Sequence, residues 1–163
     1  MSALCRQFVS KPPRRKSAGV FIYKKKSKKV LFVQSYGEKW GPPKGHFDEN
    51  ETPERCAARE LKEETGIELS PSTLIPYRRT RLDRTYIFYV PVEEDFYSTP
   101  VWDKIDLEIT DIRWFSLSEL TGLNINTVGK KSVHKFMCQC NRDEPQDLKK
   151  VDPDIKCQDN ITH

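Results

Sequence analysis

A chain of 163 residues, 36% hydrophobic and 32% charged, is long enough for one water-exposed globular domain with a core of its own. No apolar run reaches the length of a membrane span, the charged beginning MSALCRQFVSKPPRRK lacks a secretory leader's apolar stretch, and five irregularly spaced cysteines do not pair into a disulfide framework, which excludes a membrane or disulfide-stapled class and places the expected protein in the cytoplasm or nucleus. The net charge of +4 is unevenly placed: Lys11 to Lys29 holds nine basic residues and no acid, and Lys130, Lys131, His134 and Lys135 form a second basic group, a distribution that suits phosphate-rich partners as well as it suits solubilising lysines.

Residues 1–14 read as a basic tail ending at Pro12-Pro13, followed by one domain over 15–140 and a polar tail over 141–163. The β-rich run Ala18-Gly19-Val20-Phe21-Ile22-Tyr23 and the near-continuous apolar run Val30-Leu31-Phe32-Val33-Gln34, separated by the lysine-rich turn 24–29, predict a hairpin with one buried strand. Trp40-Gly41-Pro42-Pro43-Lys44-Gly45 is loop chemistry, stiffened by two prolines and opened by two glycines. Thr52-Pro53 then starts a helix, with Thr52 as N-cap and Pro53 in the first helical position; Ala57, Ala58 and Leu61 give it a narrow apolar stripe, and Gly66 ends it. Strands are expected over 74–79, 85–92 and 109–115, the last with imperfect alternation, and Ser116 to Leu120 opens a short helix. Val133, Phe136, Met137 and Cys140 recur with helical period, leaving the second basic group on the opposite face. Strands on both sides of one central helix, with a second helix late, predict a mixed α/β or α+β layered fold. Cys138, Cys140 and His134 lack further ligands at zinc spacings.

The chemistry concentrates between Gly45 and Ile67. Glu60, Glu63 and Glu64 stand at i, i+3 and i+4, so a helix gathers their carboxylates on one face, where like charges repel unless a cation sits among them. Most such runs are solvated acidic faces; the alternative is a divalent ion held by hard oxygen ligands and completed by substrate phosphates. Ions held there polarise a phosphoryl oxygen, offset leaving-group charge and activate a water, which is the chemistry of phosphoanhydride hydrolysis. Lys44, in the stiffened loop, suits a phosphate contact; Gly45, without a side chain, lets its carbonyl approach a metal; and a Glu51–Arg59 ion pair joins loop to helix in a structural role.

Gly45, five residues, Glu51, seven residues, then Arg59-Glu60-Leu61-Lys62-Glu63-Glu64-Thr65-Gly66-Ile67 resembles the Nudix box at every defined position, a match whose chance frequency is on the order of one in a billion per start point. The resemblance implies a Nudix fold, an α/β/α sandwich around a mixed β-sheet, and Mg²⁺- or Mn²⁺-dependent hydrolysis of a nucleotide-type pyrophosphate. It implies metal-binding and catalytic roles for Glu60, Glu63 and Glu64, a metal-ligating carbonyl at Gly45 and a structural role for Arg59. Within the family, Trp40-Gly41-x-Pro43-Lys44-Gly45, Val30 to Gln34 and the segment Glu108-Ile109-x-x-Ile112-x-Trp114-Phe115-Ser116 resemble the catalytic domain of the messenger-RNA decapping enzyme. That likeness implies RNA as a partner, Glu108 as a metal ligand or general base, Lys130, Lys131 and Lys135 as RNA contacts, and release of a capped nucleoside diphosphate from 5′-monophosphate RNA. Pro42 and His46 resemble instead the dinucleoside-tetraphosphate hydrolases, and no helical regulatory domain of the cellular decapping type precedes Lys16. Diphosphoinositol polyphosphate hydrolysis and a non-catalytic Nudix-fold RNA-binding role are the other readings. Tyr36, Trp40 and Phe47 are candidates for stacking on a base, with packing the alternative for each. Nothing in the sequence speaks to oligomeric state.

Overall fold

The computed structural model describes residues 13–99, 102 and 105–143. Seven strands form one mixed sheet: β1 (Ser17–Lys24), β2 (Val30–Ser35), β3 (Trp40–Gly41), β4 (Lys44–His46), β5 (Arg79–Leu82), β6 (Thr85–Val92) and β7 (Ile109–Phe115). The helices are α1 (Pro53–Thr65), the short α2 (Pro71–Leu74) and α3 (Thr127–Asp143), with a 3-10 turn at Glu119–Gly122. Strand alternation sorts the core into two layers. Ala18, Val20 and Ile22 of β1, Leu31 and Val33 of β2, and Phe88 and Val90 of β6 pack with Cys56, Ala57, Ala58 and Leu61 of α1. Phe21, Val30, Phe32, Ile87 and Tyr89 face the other way and pack with Phe136 of α3. The result is the α/β/α sandwich, with α1 and α3 on opposite faces. No helix among the described residues is long and apolar enough to cross a membrane.

β1 organises the sheet. It runs parallel to β6 along its whole length, from Ser17↔Thr85 to Lys24↔Val92, and its first residues also pair antiparallel with β4 at Ser17↔His46, Ala18↔Gly45 and Gly19↔Lys44. The expected β1–β2 hairpin closes with the single pair Tyr23↔Val30 and then opens, because β2 turns to pair with β3 and β7 while β1 takes β4 and β6. The segment read as loop between Trp40 and Gly45 is therefore two short strands, interrupted where Pro42 and Pro43 have no N–H to give a ladder. Pro43 contributes its carbonyl, which accepts from the Val20 amide at 3.0 Å. Gly19 permits this crossing: a β-carbon there would lie 2.4 Å from the Pro43 oxygen and 2.4 Å from the Lys44 β-carbon.

Three further expectations need correction. The strand read over 74–79 is instead the turn of α2 followed by β5. Pro71 occupies the start of a helical turn, Leu74 anchors it in the core, and Pro76 keeps the chain out of a ladder until Arg79. β5 escaped notice because, as an edge strand, it buries only Leu82. The imperfect alternation of β7 has a physical cause: the β2–β7 register shifts between Gln34 and Ser35, so that Ile109 and Ile112 face the same layer. Ser116 to Leu120 gives a 3-10 turn rather than a helix, and α3 runs on to Asp143, past the expected limit at 140. The rest of the proposed tails, 1–12 and 144–163, lies outside the described residues.

Candidate active site

Helix α1 starts where Thr52 leaves extended backbone and its side chain accepts from the Arg55 amide, and it ends at Gly66, whose left-handed φ of 76° lets its amide return to the Lys62 carbonyl. Between these caps the small buried residues Cys56, Ala57 and Ala58 let the helix lie close on β1 and β4. That closeness puts the carboxylate face of α1 against the β4 backbone. The Lys44 amide donates to Oε2 of Glu64 at 3.1 Å. A β-carbon on Gly45 would fall 2.1 Å from the carboxyl carbon of Glu60, so only glycine leaves room for that carboxylate. The Gly45 carbonyl accepts from the Cys56 thiol at 3.4 Å, a thiol that burial pushes up to about 12 and so keeps protonated.

Arg59 fastens the preceding loop to this face. Its Nε and Nη2 donate to the two oxygens of Glu51 at 2.7 and 2.9 Å, and Nη2 also reaches the His46 carbonyl at 2.9 Å. Asp48 lies 3.3 Å from Nε. On the other side Nη1 donates to Glu60 at 2.8 Å and Glu63 at 3.2 Å. Hydrogen bonds from Arg59 hold the Glu51 carboxyl down to about 2. Burial acts in the opposite sense on its neighbours. It raises Glu60 despite the Arg59 contact, and with the nearby charge of Glu60 it pushes Glu64 up to about 8.

Glu60, Glu63 and Glu64 line a cleft of about 430 Å³ together with Lys44, Gly45, His46, Asp48, Asp106, Glu108 and Asn126. Of the residues singled out from sequence, Gly45, Glu60, Glu63, Glu64, Glu108 and Lys44 meet here, whereas Glu51 and Arg59 form their ion pair and are not among the lining residues. Lys130, Lys131 and Lys135 do not line the cleft; they are exposed on α3. Trp40 is buried against Phe115 at 4.8 Å and Phe47 packs on Tyr86 at 6.1 Å, whereas Tyr36 is 69% exposed, with its hydroxyl donating to the Leu107 carbonyl.

Sequence reasoning passed over Asp106 and Asn126. Asp106 ties the strand-leading loop to α1, its amide donating to the Glu63 carbonyl at 2.7 Å while its side chain accepts from the Glu108 amide at 3.0 Å. Its proximity to Glu108 was the available signal. Asn126 caps α3 by accepting from the Gly129 amide at 2.8 Å, and packs where a Gly41 β-carbon would stand 2.2 Å away; an Asn before a helix was legible, its place in the cleft was not.

The donor set suits a hard divalent cation. Carboxylates of Glu60, Glu63, Glu64, Asp106 and Glu108 and the Gly45 carbonyl are all oxygens, and burial together with the charge of Glu60 makes Glu64 costly to ionise without a cation beside it. Among the described residues no three side chains of His, Cys, Asp or Glu are already gathered into a metal cage; Arg59 meanwhile satisfies Glu60 and Glu63.

Comparison with known proteins identifies the family of the fold. The family model of the NUDIX domain matches residues 13–136. The "Putative hydrolase 111R" of Invertebrate iridescent virus 3 is 34% identical over 134 residues, 78% of this chain and 73% of that one. The mouse asymmetrical bis(5′-nucleosyl)-tetraphosphatase is 33% identical over 109 residues, covering 61% of this chain and 72% of its own length. The m7GpppN-mRNA hydrolase dcap-2 of Caenorhabditis elegans is 35% identical over 98 residues, 56% of this chain but 12% of that much longer protein. The C. elegans Ap4A hydrolase crystal structure shares the fold with a TM-score of 0.59 at 20% identity, covering 78% of this chain and 99% of that one.

Proposed function

This chain belongs to the Nudix family of hydrolases, and from that premise we propose that it cleaves the pyrophosphate bridge of the 5′ cap of RNA. Glu60, Glu63, Glu64 and Glu108, with the Gly45 carbonyl, would hold Mg²⁺ or Mn²⁺, which when bound offsets phosphate charge and lowers the pKa of a coordinated water. Glu63, Glu64 and Glu108 are the candidates for taking the proton as water adds to phosphorus. The P–O bond of the anhydride breaks, one product leaves as a capped nucleoside diphosphate, and the RNA keeps a 5′-monophosphate. Lys44 would hold a further phosphate, and the Glu51–Arg59 pair would fix loop and helix so that these groups keep their spacing.

The observation that carries RNA over a smaller substrate is the cationic ground next to the acidic cleft. Asn126, in the cleft lining, precedes and caps helix α3, and Lys130, Lys131, His134 and Lys135 follow exposed along its first turns. Cations there suit the many further phosphates of an RNA, which a dinucleotide lacks. The second reading, a dinucleoside tetraphosphate hydrolase, is favoured by His46 in the cleft lining and by a match to the mouse tetraphosphatase that spans most of that protein.

The deciding experiment presents cap-labelled RNA and diadenosine tetraphosphate in parallel to the purified protein with Mg²⁺ or Mn²⁺. Release of labelled capped diphosphate is expected, and Glu108→Gln is expected to slow it about 100-fold with little change in melting, since the side chain is exposed. Fast turnover of the dinucleotide with inert RNA selects the second reading. Inertness of both directs the search to inositol pyrophosphates, or to an RNA-binding module if RNA is retained but never cleaved.

A further inference from the structure

The edge strand β5 carries a surface that neither the family match nor the cleft explains. Arg79 and Arg81, two residues apart and so on one side of the strand, lie over the ring of Tyr86 on β6, with guanidinium carbons 5.2 and 5.6 Å from its centre. Arg79 also reaches the ring of Phe88 at 5.9 Å. Tyr86 meets Phe47 at 6.1 Å, and the carbonyl of Phe47 accepts from Arg15 at 3.1 Å, a residue that lines the cleft. An unbroken line of contacts thus leads from the cleft, through Arg15, Phe47 and Tyr86, to the exposed arginines at the sheet edge.

Its chemistry is selective. Arg79 gives Nη1 to Glu54 and Arg81 gives Nε to the Asp83 carbonyl at 3.0 Å, which leaves each guanidinium further N–H groups for phosphate oxygens and a flat face for bases; cations interleaved with aromatic rings are how single strands are held without sequence preference. Glu54 engages Arg79 at 3.2 Å, yet Arg15 and Arg81 leave the line positive. Exposed arginines also discourage another protein strand from pairing with β5. Resting on the RNA reading above, we propose that this arginine–aromatic stripe binds the body of a single-stranded RNA whose 5′ end occupies the cleft.

The test is direct binding, independent of turnover. The full chain, in EDTA, is titrated into a fluorescein-labelled, uncapped single-stranded RNA of about 16 nucleotides, the upper end of usual single-strand site sizes, across a salt series. Arg79→Gln/Arg81→Gln is expected to weaken binding at least tenfold and to reduce the slope of log affinity against log salt by about 1.4, two phosphates at about 0.7 each. Arg79→Lys/Arg81→Lys is expected to restore the slope but not the full affinity. Thermal melting of each variant separates lost binding from lost folding, and Arg81→Gln alone, which spares the Glu54 contact, is expected to show half the slope change. A folded double variant with wild-type affinity and slope overturns the stripe, as does a wild-type chain that fails to bind RNA at low salt or that self-associates through β5. RNA bound by the stripe but never decapped leaves this inference standing and removes the decapping reading instead.

Discussion

Replacing Glu64 by Gln should make the metal-free protein more stable at neutral and higher pH while abolishing hydrolysis. The Glu64 carboxyl lies at about 8 against an ordinary value of 4.5, because burial and the neighbouring Glu60 penalise its charge. A carboxyl raised on folding binds its proton more tightly in the native state, so its contribution is fully present below about 4.5, declines as pH rises from there to about 8, and is gone above. At 1.36 kcal/mol per unit, 3.5 units set a ceiling of about 5 kcal/mol, and solvent access at the cleft reduces this to a few kcal/mol. Glutamine keeps an acceptor for the Lys44 amide and has no charge to desolvate, so the variant should lack this decline. Melting in EDTA from pH 4.5 to 8.5 should show the two proteins together at the acid end and the variant ahead by roughly 10 °C at the alkaline end, at 2–4 °C per kcal/mol. Adding Mg²⁺ at pH 8 should return most of the deficit to the wild type and little to the variant, because a divalent cation supplies the missing positive charge only where a carboxylate awaits it. Melting curves for the two proteins that run parallel across this pH range would refute the reasoning, for then Glu64 is not held in a charge-averse site.

Glu51→Gln should act in the opposite sense. Arg59 holds Glu51 down to about 2, so the pair's contribution is present above about 4.5 and fades as pH falls towards 2; urea titrations should show a loss of about 2–3 kcal/mol at pH 7 that shrinks at pH 3. Gly45→Ala should leave the sheet paired but push the Glu60 carboxylate aside by the width of a methyl group, lowering the hydrolysis rate about 100-fold and weakening Mn²⁺ binding measured by calorimetry; full activity would show that the Gly45–Glu60 contact is dispensable.

What the sequence made legible was local chemistry. Thr52, Pro53 and Gly66 specify both ends of α1 through capping and backbone preference alone, and the i, i+3, i+4 spacing of Glu60, Glu63 and Glu64 fixes a common face once the helix exists. What stayed hidden depended on partners far along the chain. β5 has no apolar run because its neighbour β6 does the burying, so its strand character comes from a ladder and not from its own residues. Trp40 to Gly45 reads as loop because the strands it enters are only two and three residues long, each stabilised by pairing with β2 or β1. Asp106 joins the cleft through a bond to the Glu63 backbone, which no spacing rule foretells. The lysines of α3 show the converse: their helical face was readable, but not that it would be absent from the cleft lining.

The arginine in this site has two tasks that only its geometry reconciles. Its guanidinium contacts Glu51 and the His46 carbonyl on the loop side, and Glu60 and Glu63 on the helix side. A cation entering the cleft competes for Glu60 and Glu63. If those were the arginine's principal anchors, it would be displaced and the loop released with it. Glu51 takes two parallel bonds from the guanidinium, at 2.7 and 2.9 Å, whereas Glu60 and Glu63 take one each, at 2.8 and 3.2 Å, so Arg59 can give up the helix-side carboxylates and still hold the loop in place. A lysine, with one charged nitrogen, would have to choose between the two sides. The eight-residue separation of Glu51 and Arg59 therefore decouples the integrity of the loop from the occupancy of the carboxylate face, and it does so because one residue precedes the helix and the other lies two turns within it.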